Sequence, residues 1–302
     1  MASLRILVTG STGFVGSALV PFIEASGHRV TRLVRVKPEP RLADVLWDPE
    51  AGVVDTARLE GLNGVVHLAG ENIATDRWTA EKKAKIRDSR VDGTKLLCDA
   101  LVGLKQPPKV LVCASAIGYY GDRGDELLTE ESEPGAGFLA SVCREWEAST
   151  QSAEQKGIRV VHLRFGMVLS PTGGAMAKLL PPFKKGLGGV LGTGRQYVSW
   201  ITLDDVLGVV LHALTTETLQ GPVNAVTPNP VTNREFTHTL GRVIGRFTIF
   251  PMPAAAAHLV FGQLADELLL ASQRVQPTQL LATGYCFLYP DLEGALRHLL
   301  GR

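Results

Sequence analysis

Short apolar, β-branched runs alternate with longer amphipathic segments through the first two-thirds of the chain. The runs that predict strands lie at 4–10, 28–35, 64–70, 109–115 and 158–166. Segments with the apolar spacing of helices lie between them, at 14–27, 79–104 and 138–157. Nearly continuous apolar strands separated by helices are typical of a parallel sheet that is covered on both faces. The pattern therefore predicts a doubly wound α/β fold of the Rossmann type.

The pattern changes after residue 170. Residues 171–197 are rich in Gly and Pro, which predicts a long loop with a short helix inside it. Loops of this length in compact domains are usually functional, so we interpret it as a lid or a wall of the substrate pocket. A mostly helical pattern fills the end of the chain. The sequence thus predicts a nucleotide-binding domain over 1–225 and a smaller substrate-side region over 226–302.

Composition narrows the classes of partner. The 302 residues include 31 Lys and Arg against 30 Asp and Glu, which argues against nucleic acid or an anionic membrane as the main partner but leaves a local basic pocket open. No apolar run is long enough to cross a bilayer, and the N-terminus does not resemble a signal peptide. The scattered cysteines show no metal-ligand or disulfide spacing: Cys98, Cys113, Cys143 and Cys286. We expect a cytoplasmic protein without a metal site.

A glycine-rich segment, TGSTGFVG, directly follows the first predicted strand and opens a helix. Gly10 allows the turn, Gly13 lets the backbone approach a pyrophosphate, and Gly16 allows close packing of helix on strand. The amides at the helix start then face the anion. The predicted cofactor contacts of this loop are Gly10, Ser11, Thr12, Gly13, Phe14, Val15 and Gly16.

The end of the second predicted strand indicates which dinucleotide is bound. Proteins that bind NAD usually carry an acidic residue there, which accepts hydrogen bonds from the ribose hydroxyls. This chain carries Arg32 and Arg35 instead, and Arg35 lies at the strand tip. Because a guanidinium pairs well with a 2′-phosphate, we predict NADP(H) as the cofactor and Arg35 as its contact, with a solvated surface arginine as the alternative.

Further motifs extend along nearly the whole chain, namely HLAGENIATDRWT, SAIGYYG, LRFGMVLSPTGGAM, SWITLDDV and RVQPTQLLATGYCF. Together with the glycine loop they resemble the extended short-chain dehydrogenase/reductase superfamily. The resemblance is closer still to an atypical branch of epimerase-like oxidoreductases, sometimes labelled cell-division inhibitor proteins. It implies that small residues after the fourth strand lie beside the adenosine and ribose. The residues matched to that role are Leu68, Ala69 and Gly70, followed by Glu71.

The resemblance also implies three catalytic roles. A Ser or Thr orients the substrate, a Tyr transfers the proton, and a Lys four residues later lowers the pKa of that Tyr. Ser115 matches the first role, unless its hydroxyl only caps a strand end. In the register of Ser115, the Tyr and Lys positions hold Leu139 and Cys143. Neither residue can replace the pair, because a leucine moves no proton and a cysteine supplies no cation.

Several nearby residues are candidate substitutes. Tyr119 or Tyr120 follows the Ser115 strand and is either a displaced acid or a packing residue. Cys143 is a nucleophile if its pKa is lowered, and otherwise an inert buried thiol. Arg164 either faces a substrate or cofactor anion or forms a structural ion pair.

Three functions follow in order of preference. The first is an NADP(H)-dependent oxidoreductase that acts on an unidentified small molecule, in which Ser115 and a substitute acid would serve. The second is a scaffold or redox sensor that binds NADPH without turnover, and the third is a sugar-nucleotide-type epimerase. By analogy with the superfamily, a homodimer would form through the helices at 79–102 and 138–155.

Overall fold

A computed structural model of the chain describes residues 3–35, 44–75 and 77–302. The strands within those ranges are, in chain order, β1 (Arg5–Thr9), β2 (Arg29–Val34), β3 (Asp44–Asp48), β4 (Val53–Val54), β5 (Gly64–His67), β6 (Val110–Ala116), β7 (Leu127–Leu128), β8 (Arg159–Phe165), β9 (Met167–Leu169), β10 (Tyr197–Val198), β11 (Trp200–Thr202), β12 (Gly221–Ala225), β13 (Val231–Thr232) and β14 (Arg274–Val275). The α-helices are α1 (Phe14–Ala25), α2 (Ala80–Val102), α3 (Phe138–Ala148), α4 (Gln151–Gln155), α5 (Gly174–Lys184), α6 (Leu203–Thr215), α7 (Asn233–Ile244), α8 (Ala254–Phe261), α9 (Thr278–Ala282) and α10 (Leu292–Leu300). Short 3-10 turns cover Thr56–Arg58 and Ile117–Tyr120, and a π-helical turn covers Ala265–Leu269.

The central sheet has eight strands in the order β12-β8-β6-β5-β1-β2-β3-β4. Its strand pairs are parallel except that β4 runs antiparallel to β3. The predicted doubly wound α/β fold is therefore confirmed. The strand order reverses on either side of β1, which pairs with β2 and with β5. In open α/β sheets, ligands bind in the crevice at the carboxyl ends of the strands at such a reversal.

Two apolar layers cover the faces of this sheet. Ile6 and Val8 of β1 join one buried cluster, with Leu19 and Ile23 of α1, while Leu7 joins a second cluster on the other face. Successive strand residues point to opposite faces, so a strand that is buried on both sides is apolar throughout. This double burial explains why the strand runs are nearly continuous in the sequence.

The C-terminal part of the chain packs as a third cluster that includes Trp200, Phe236 and Leu296. The buried carboxylate of Asp205 in α6 accepts hydrogen bonds from the backbone amides of Leu288 (2.8 Å) and Tyr289 (3.2 Å). One buried side chain thus fastens the last segment of the chain to α6.

Two sequence predictions concern surfaces. The described residues of α2 and α3 expose no large apolar side chain, and the homodimer through these helices stays a prediction. Within the described ranges, no helix is both long and apolar enough to cross a membrane.

Candidate cofactor cleft and active site

The turn between β1 and α1 is a tight backbone cradle. Gly10 has a φ of +65°, and a Cβ added there would lie 2.8 Å from the carbonyl carbon of Leu68. A Cβ added at Gly16 would lie 2.2 Å from the Gly10 carbonyl oxygen. The Gly13 amide closes the turn by donating to that same oxygen at 2.9 Å. Glycine is therefore required at both ends of the turn, as the sequence pattern predicts.

The start of α1 is suited to hold an anion. Its N-cap, Gly13, has no side chain to accept from the first amides, and the first turn carries no acidic residue. Unpaired amides at a helix start attract phosphate groups. The neighbouring Ser11 is buried and Thr12 is exposed. Phe14 packs against the predicted lid, because a Cβ added at Gly173 would lie 2.1 Å from its ring. The residues present thus fit a dinucleotide pyrophosphate.

A buried hydrogen-bond chain fixes the backbone opposite this turn. The Thr9 hydroxyl accepts from the amides of Leu68 (3.1 Å) and Ala69 (3.2 Å), so it donates its own hydrogen to His67 Nδ1 at 2.7 Å. His67 Nε2 then donates to the Thr94 hydroxyl at 3.0 Å. His67 is therefore a core residue that positions the Leu68–Ala69 backbone.

This histidine makes stability depend on pH. Burial lowers the pKa of His67 to about 4 from its ordinary 6.5. The unfolded chain binds the proton more tightly, so the free energy of unfolding falls as pH drops from 6.5 toward 4, by up to about 3 kcal/mol.

Urea denaturation at pH 7 and at pH 4.5 should show this loss of stability. His67→Gln keeps one hydrogen-bond acceptor and one donor but does not titrate, so the free energy of unfolding should depend less on pH in this variant. Burial also lowers the pKa of His162, so part of the dependence of stability on pH should remain in the variant. A dependence as steep as that of the wild type would show that His67 is not its source.

The two arginines of β2 differ in their surroundings. Arg32 forms a bidentate ion pair with the buried Asp44, with both nitrogen–oxygen distances at 2.7 Å. Arg35 directly follows the last residue of β2 and is exposed. Arg32 therefore has a carboxylate partner within the protein, and Arg35, the predicted contact of the 2′-phosphate, is exposed.

Arg90 on α2 is a candidate site residue with no motif in the sequence to mark it. A Cβ added at Gly70 would lie 3.2 Å from its guanidinium carbon. Its Nη1 donates to the carbonyl oxygens of Glu71 (3.0 Å) and Ile86 (3.1 Å), and its guanidinium lies 5.1 Å from the Trp146 ring centroid. Burial lowers the pKa of Arg90. A guanidinium held against the Leu68–Gly70 backbone is a further candidate contact for the cofactor.

The loop after β5 is tied to its neighbours through charged side chains. Glu71 Oε1 lies 2.6 Å from the buried Nζ of Lys82. Lys178 of α5 donates to the Ala74 carbonyl oxygen at 2.6 Å, and Arg77 donates to the carbonyl oxygen of Leu259 in α8. The predicted lid segment thus reaches from Phe14 to Ala74 across the cleft. The short helix predicted within 171–197 is α5.

Ser115, Tyr120 and Arg164 meet in one buried cluster around Glu147. Arg164 forms a bidentate ion pair with Glu147, with both distances at 2.8 Å, and Ser115 Oγ donates to Glu147 Oε1 at 2.6 Å. Arg164 also donates to the Tyr120 hydroxyl at 2.9 Å, and this hydroxyl donates to Asn224 Oδ1 at 2.7 Å. The arrangement gives Arg164 a carboxylate partner within the protein.

These contacts decide what each group of the cluster can do. Ser115 has one hydroxyl hydrogen and gives it to a carboxylate, so its oxygen is left only as an acceptor. Tyr120 is fully buried, and burial raises its pKa to about 12. Tyr119 is half-buried and lies with its ring centroid 3.5 Å from the Arg164 guanidinium. Of the two tyrosines, Tyr119 is the more accessible.

The two positions predicted for the Tyr and Lys lie in the first half of α3. Leu139 is 8% exposed and its backbone amide donates to Glu267 Oε2 at 2.7 Å. Cys143 is buried, and burial raises its pKa to about 12. A thiol with a raised pKa is an inert core group rather than a nucleophile. Within the described ranges, no group of three His, Cys, Asp or Glu side chains could hold a metal ion.

The fold and the cradle define a dinucleotide-binding protein of the atypical extended short-chain dehydrogenase/reductase type. Residues 6–225 match the NAD dependent epimerase/dehydratase family, and residues 252–299 match a domain of unknown function, DUF1731. The chain belongs to the NAD dependent epimerase/dehydratase family, among the epimerase family proteins similar to SDR39U1.

Similar proteins cover the whole chain. The epimerase family protein Mb2239 of Mycobacterium bovis is 41% identical over 302 residues, which cover 100% of this chain and 99% of that protein. A crystal structure of the human epimerase family protein SDR39U1 with NADPH has a TM-score of 0.89 and 36% identity, covering 99% of both chains. A UDP-N-acetylglucosamine 4-epimerase from Bacillus cereus, at 20% identity and a TM-score of 0.76, shares the fold, with 98% of each chain covered.

Proposed function

We propose that the protein is an NADP(H)-binding oxidoreductase of the cytoplasm that acts on a small molecule. The observation that carries this proposal is the backbone cradle at Gly10 and Gly16, with an uncapped helix start and an exposed Arg35 beside it. Similarity to the human SDR39U1 structure, which contains NADPH, supports the same cofactor here. Gly10–Gly16 would hold the pyrophosphate, Arg35 the 2′-phosphate, and the Leu68–Glu71 backbone with Arg90 the adenosine half.

The protein's own groups favour some reactions over others. When bound, NADPH supplies a hydride. No Tyr–Lys pair stands at 139 and 143 to deliver a proton, and Tyr120 is locked in the buried cluster. Reduction of a double bond conjugated to a carbonyl makes the smallest demand on such a site. Hydride added to the β-carbon would leave an enolate, which is far less basic than the alkoxide from a ketone, and water could then protonate the α-carbon. Ser115, whose own hydrogen goes to Glu147, would only accept a hydrogen bond from a donor group of the substrate, and Tyr119 is the better placed of the two tyrosines to face that substrate.

A non-catalytic NADPH-binding scaffold or redox sensor is the second candidate. Leu139 and Cys143 favour it, because a leucine carries no proton to transfer and burial raises the pKa of the Cys143 thiol to about 12. An epimerase is less well supported, since epimerisation also needs a base and normally the tyrosine.

The test is a screen for turnover. Wild-type protein with NADPH is incubated with conjugated enones and with saturated ketones, and loss of cofactor absorbance is followed. We expect turnover with enones and little with ketones. Saturable NADPH binding with a blank screen would favour the scaffold. Ser115→Ala then tests one residue, because unchanged turnover in that variant would remove Ser115 from the mechanism.

The choice of cofactor is tested at Arg35. We expect Arg35→Glu to weaken NADPH binding by about 10-fold or more and to leave NADH binding little changed, because a carboxylate repels the 2′-phosphate. Arg29→Glu, an exposed position at the start of β2, is the matched control. Fluorescence titration with both cofactors gives the ratio of NADPH affinity to NADH affinity. The same ratio in the Arg35→Glu and Arg29→Glu variants would show that Arg35 is only a surface arginine.

A further inference from the structure

The loop between α7 and α8 exposes large apolar side chains. Phe247 is 85% exposed, Ile249 68% and Phe250 53%. Thr248 between them is held against α7, where its Oγ1 lies 3.0 Å from His238 Nδ1. Because Thr248 faces inward, its two neighbours are left facing away from the protein.

The loop that follows α5 continues this surface. Met252 forms two backbone hydrogen bonds with the loop after α5. Its amide donates to the carbonyl oxygen of Val190, and its carbonyl oxygen accepts from the amide of Gly192, both at 2.9 Å. In the same loop, Leu187 is 58% exposed. We call Leu187, Phe247, Ile249 and Phe250 the apolar edge. The backbone pairing makes it a built surface rather than a loose loop.

A basic pocket adjoins the apolar edge. It has a volume of about 360 Å³, and its lining residues are Lys184, Ile244, Arg246, Leu300 and Arg302. Arg246 Nε donates to the Lys184 carbonyl oxygen at 2.9 Å, which joins the end of α5 to the start of the Phe247 loop. Among these lining residues, three side chains are cationic and none is a carboxylate.

The acid on the neighbouring helix does not neutralise these cations. Glu293 of α10 lies 2.7 Å from Arg297 and 3.3 Å from Arg242. Lys185, next to Lys184, is exposed and adds a further positive charge at the rim. The pocket is therefore locally basic although the chain as a whole carries a formal charge of only +1.

We propose that this surface docks on a membrane that contains anionic phospholipids. The apolar edge would enter the interface between headgroups and acyl chains, while Lys184, Arg246 and Lys185 meet lipid phosphates. A soluble phosphate compound would use the cations but leave the aromatic side chains in water. A second copy placed by two-fold symmetry would set like charges against each other. A membrane surface matches both parts of the patch at once.

The test is sedimentation of the full chain with vesicles of phosphatidylcholine alone or with one-quarter phosphatidylglycerol. We expect binding to the anionic vesicles, at least 10-fold weaker binding to neutral ones, and weakening in 0.5 M NaCl. Lys184→Ala with Arg246→Ala should weaken binding about 25-fold, at about fivefold for each cation. Phe247→Ser with Phe250→Ser should reduce it by about 10-fold or more.

The matched control changes two other exposed leucines. Leu281 and Leu288 are 49% and 65% exposed, and their joint change to Ser should leave vesicle binding unaltered. Circular dichroism melts of every variant show that the fold is kept. Equal binding to neutral and anionic vesicles, or no loss in either patch variant, would overturn the proposal. It also falls if light scattering without vesicles shows a dimer that Phe247→Ser with Phe250→Ser converts to a monomer.

Discussion

Replacing Gly16 with valine should abolish NADPH binding in the measurable range, a loss of about 100-fold or more. Even the first side-chain carbon would lie 2.2 Å from the Gly10 carbonyl oxygen, far inside contact distance. The β1–α1 turn must then open, and the amides at the start of α1 move away from the pyrophosphate. Losing about 3 kcal/mol of phosphate contacts corresponds to two decades of affinity. Fluorescence titration with NADPH measures the loss.

A matched glycine separates this effect from general damage. Gly103 directly follows α2 with a φ of −74°, and a Cβ added there would lie 3.6 Å from its nearest neighbours, an ordinary contact. Gly103→Ala should therefore bind NADPH like the wild type. A folded Gly16→Val protein that still binds NADPH tightly would show that the cofactor does not occupy this turn.

Replacing Arg164 with methionine should destabilise the protein by about 3–5 kcal/mol. The change leaves Glu147 as an uncompensated charge whose side chain is only 13% exposed. It also removes the donor to the Tyr120 hydroxyl. At roughly 2–4 °C for each kcal/mol, the melting temperature should fall by about 10 °C. Calorimetry measures the shift.

Two further variants test whether the unpaired Glu147 carboxylate causes the loss of stability. Arg297→Met breaks an exposed pair with Glu293 and should cost less than about 1 kcal/mol. Glu147→Gln combined with Arg164→Met removes both charges and should recover part of the stability. If Arg164→Met instead melts like the wild type and loses NADPH affinity, the side chain contacts the cofactor and the ion pair is secondary.

The local features of the fold were predictable from the sequence. The apolar runs of β1, β5, β6 and β8 carry their own signal, because each is buried on both faces. The glycine turn is equally local, since Gly10 and Gly16 act on each other across six residues. Strand β3 has no such signal, because its five residues begin and end with aspartate, and the ion pair that Arg32 gives to the buried Asp44 is not visible in the sequence.

Contacts between distant residues were not predictable in this way. The hydroxyl of Ser115 is donated to Glu147, which lies 32 residues away, so the sequence could not tell a substrate ligand from a core hydroxyl. Arg90 lies on a helix rich in charged residues and looks like part of a solvated face until the fold sets it against Gly70. The hydrogen bond from the Leu139 amide to Glu267 joins residues 128 positions apart, and no local sequence pattern predicts it.

The cleft beside Gly10–Gly16 should hold NADP(H). The direct measurement is isothermal titration of the wild-type protein with NADPH and, separately, with NADH. The structure predicts saturable binding of one NADPH for each chain, at least about 10-fold tighter than NADH, and no measurable binding by Gly16→Val. Absence of saturable NADPH binding would show that the cleft is not an NADP(H) site, and equal affinity for the two cofactors would show that it does not select the 2′-phosphate.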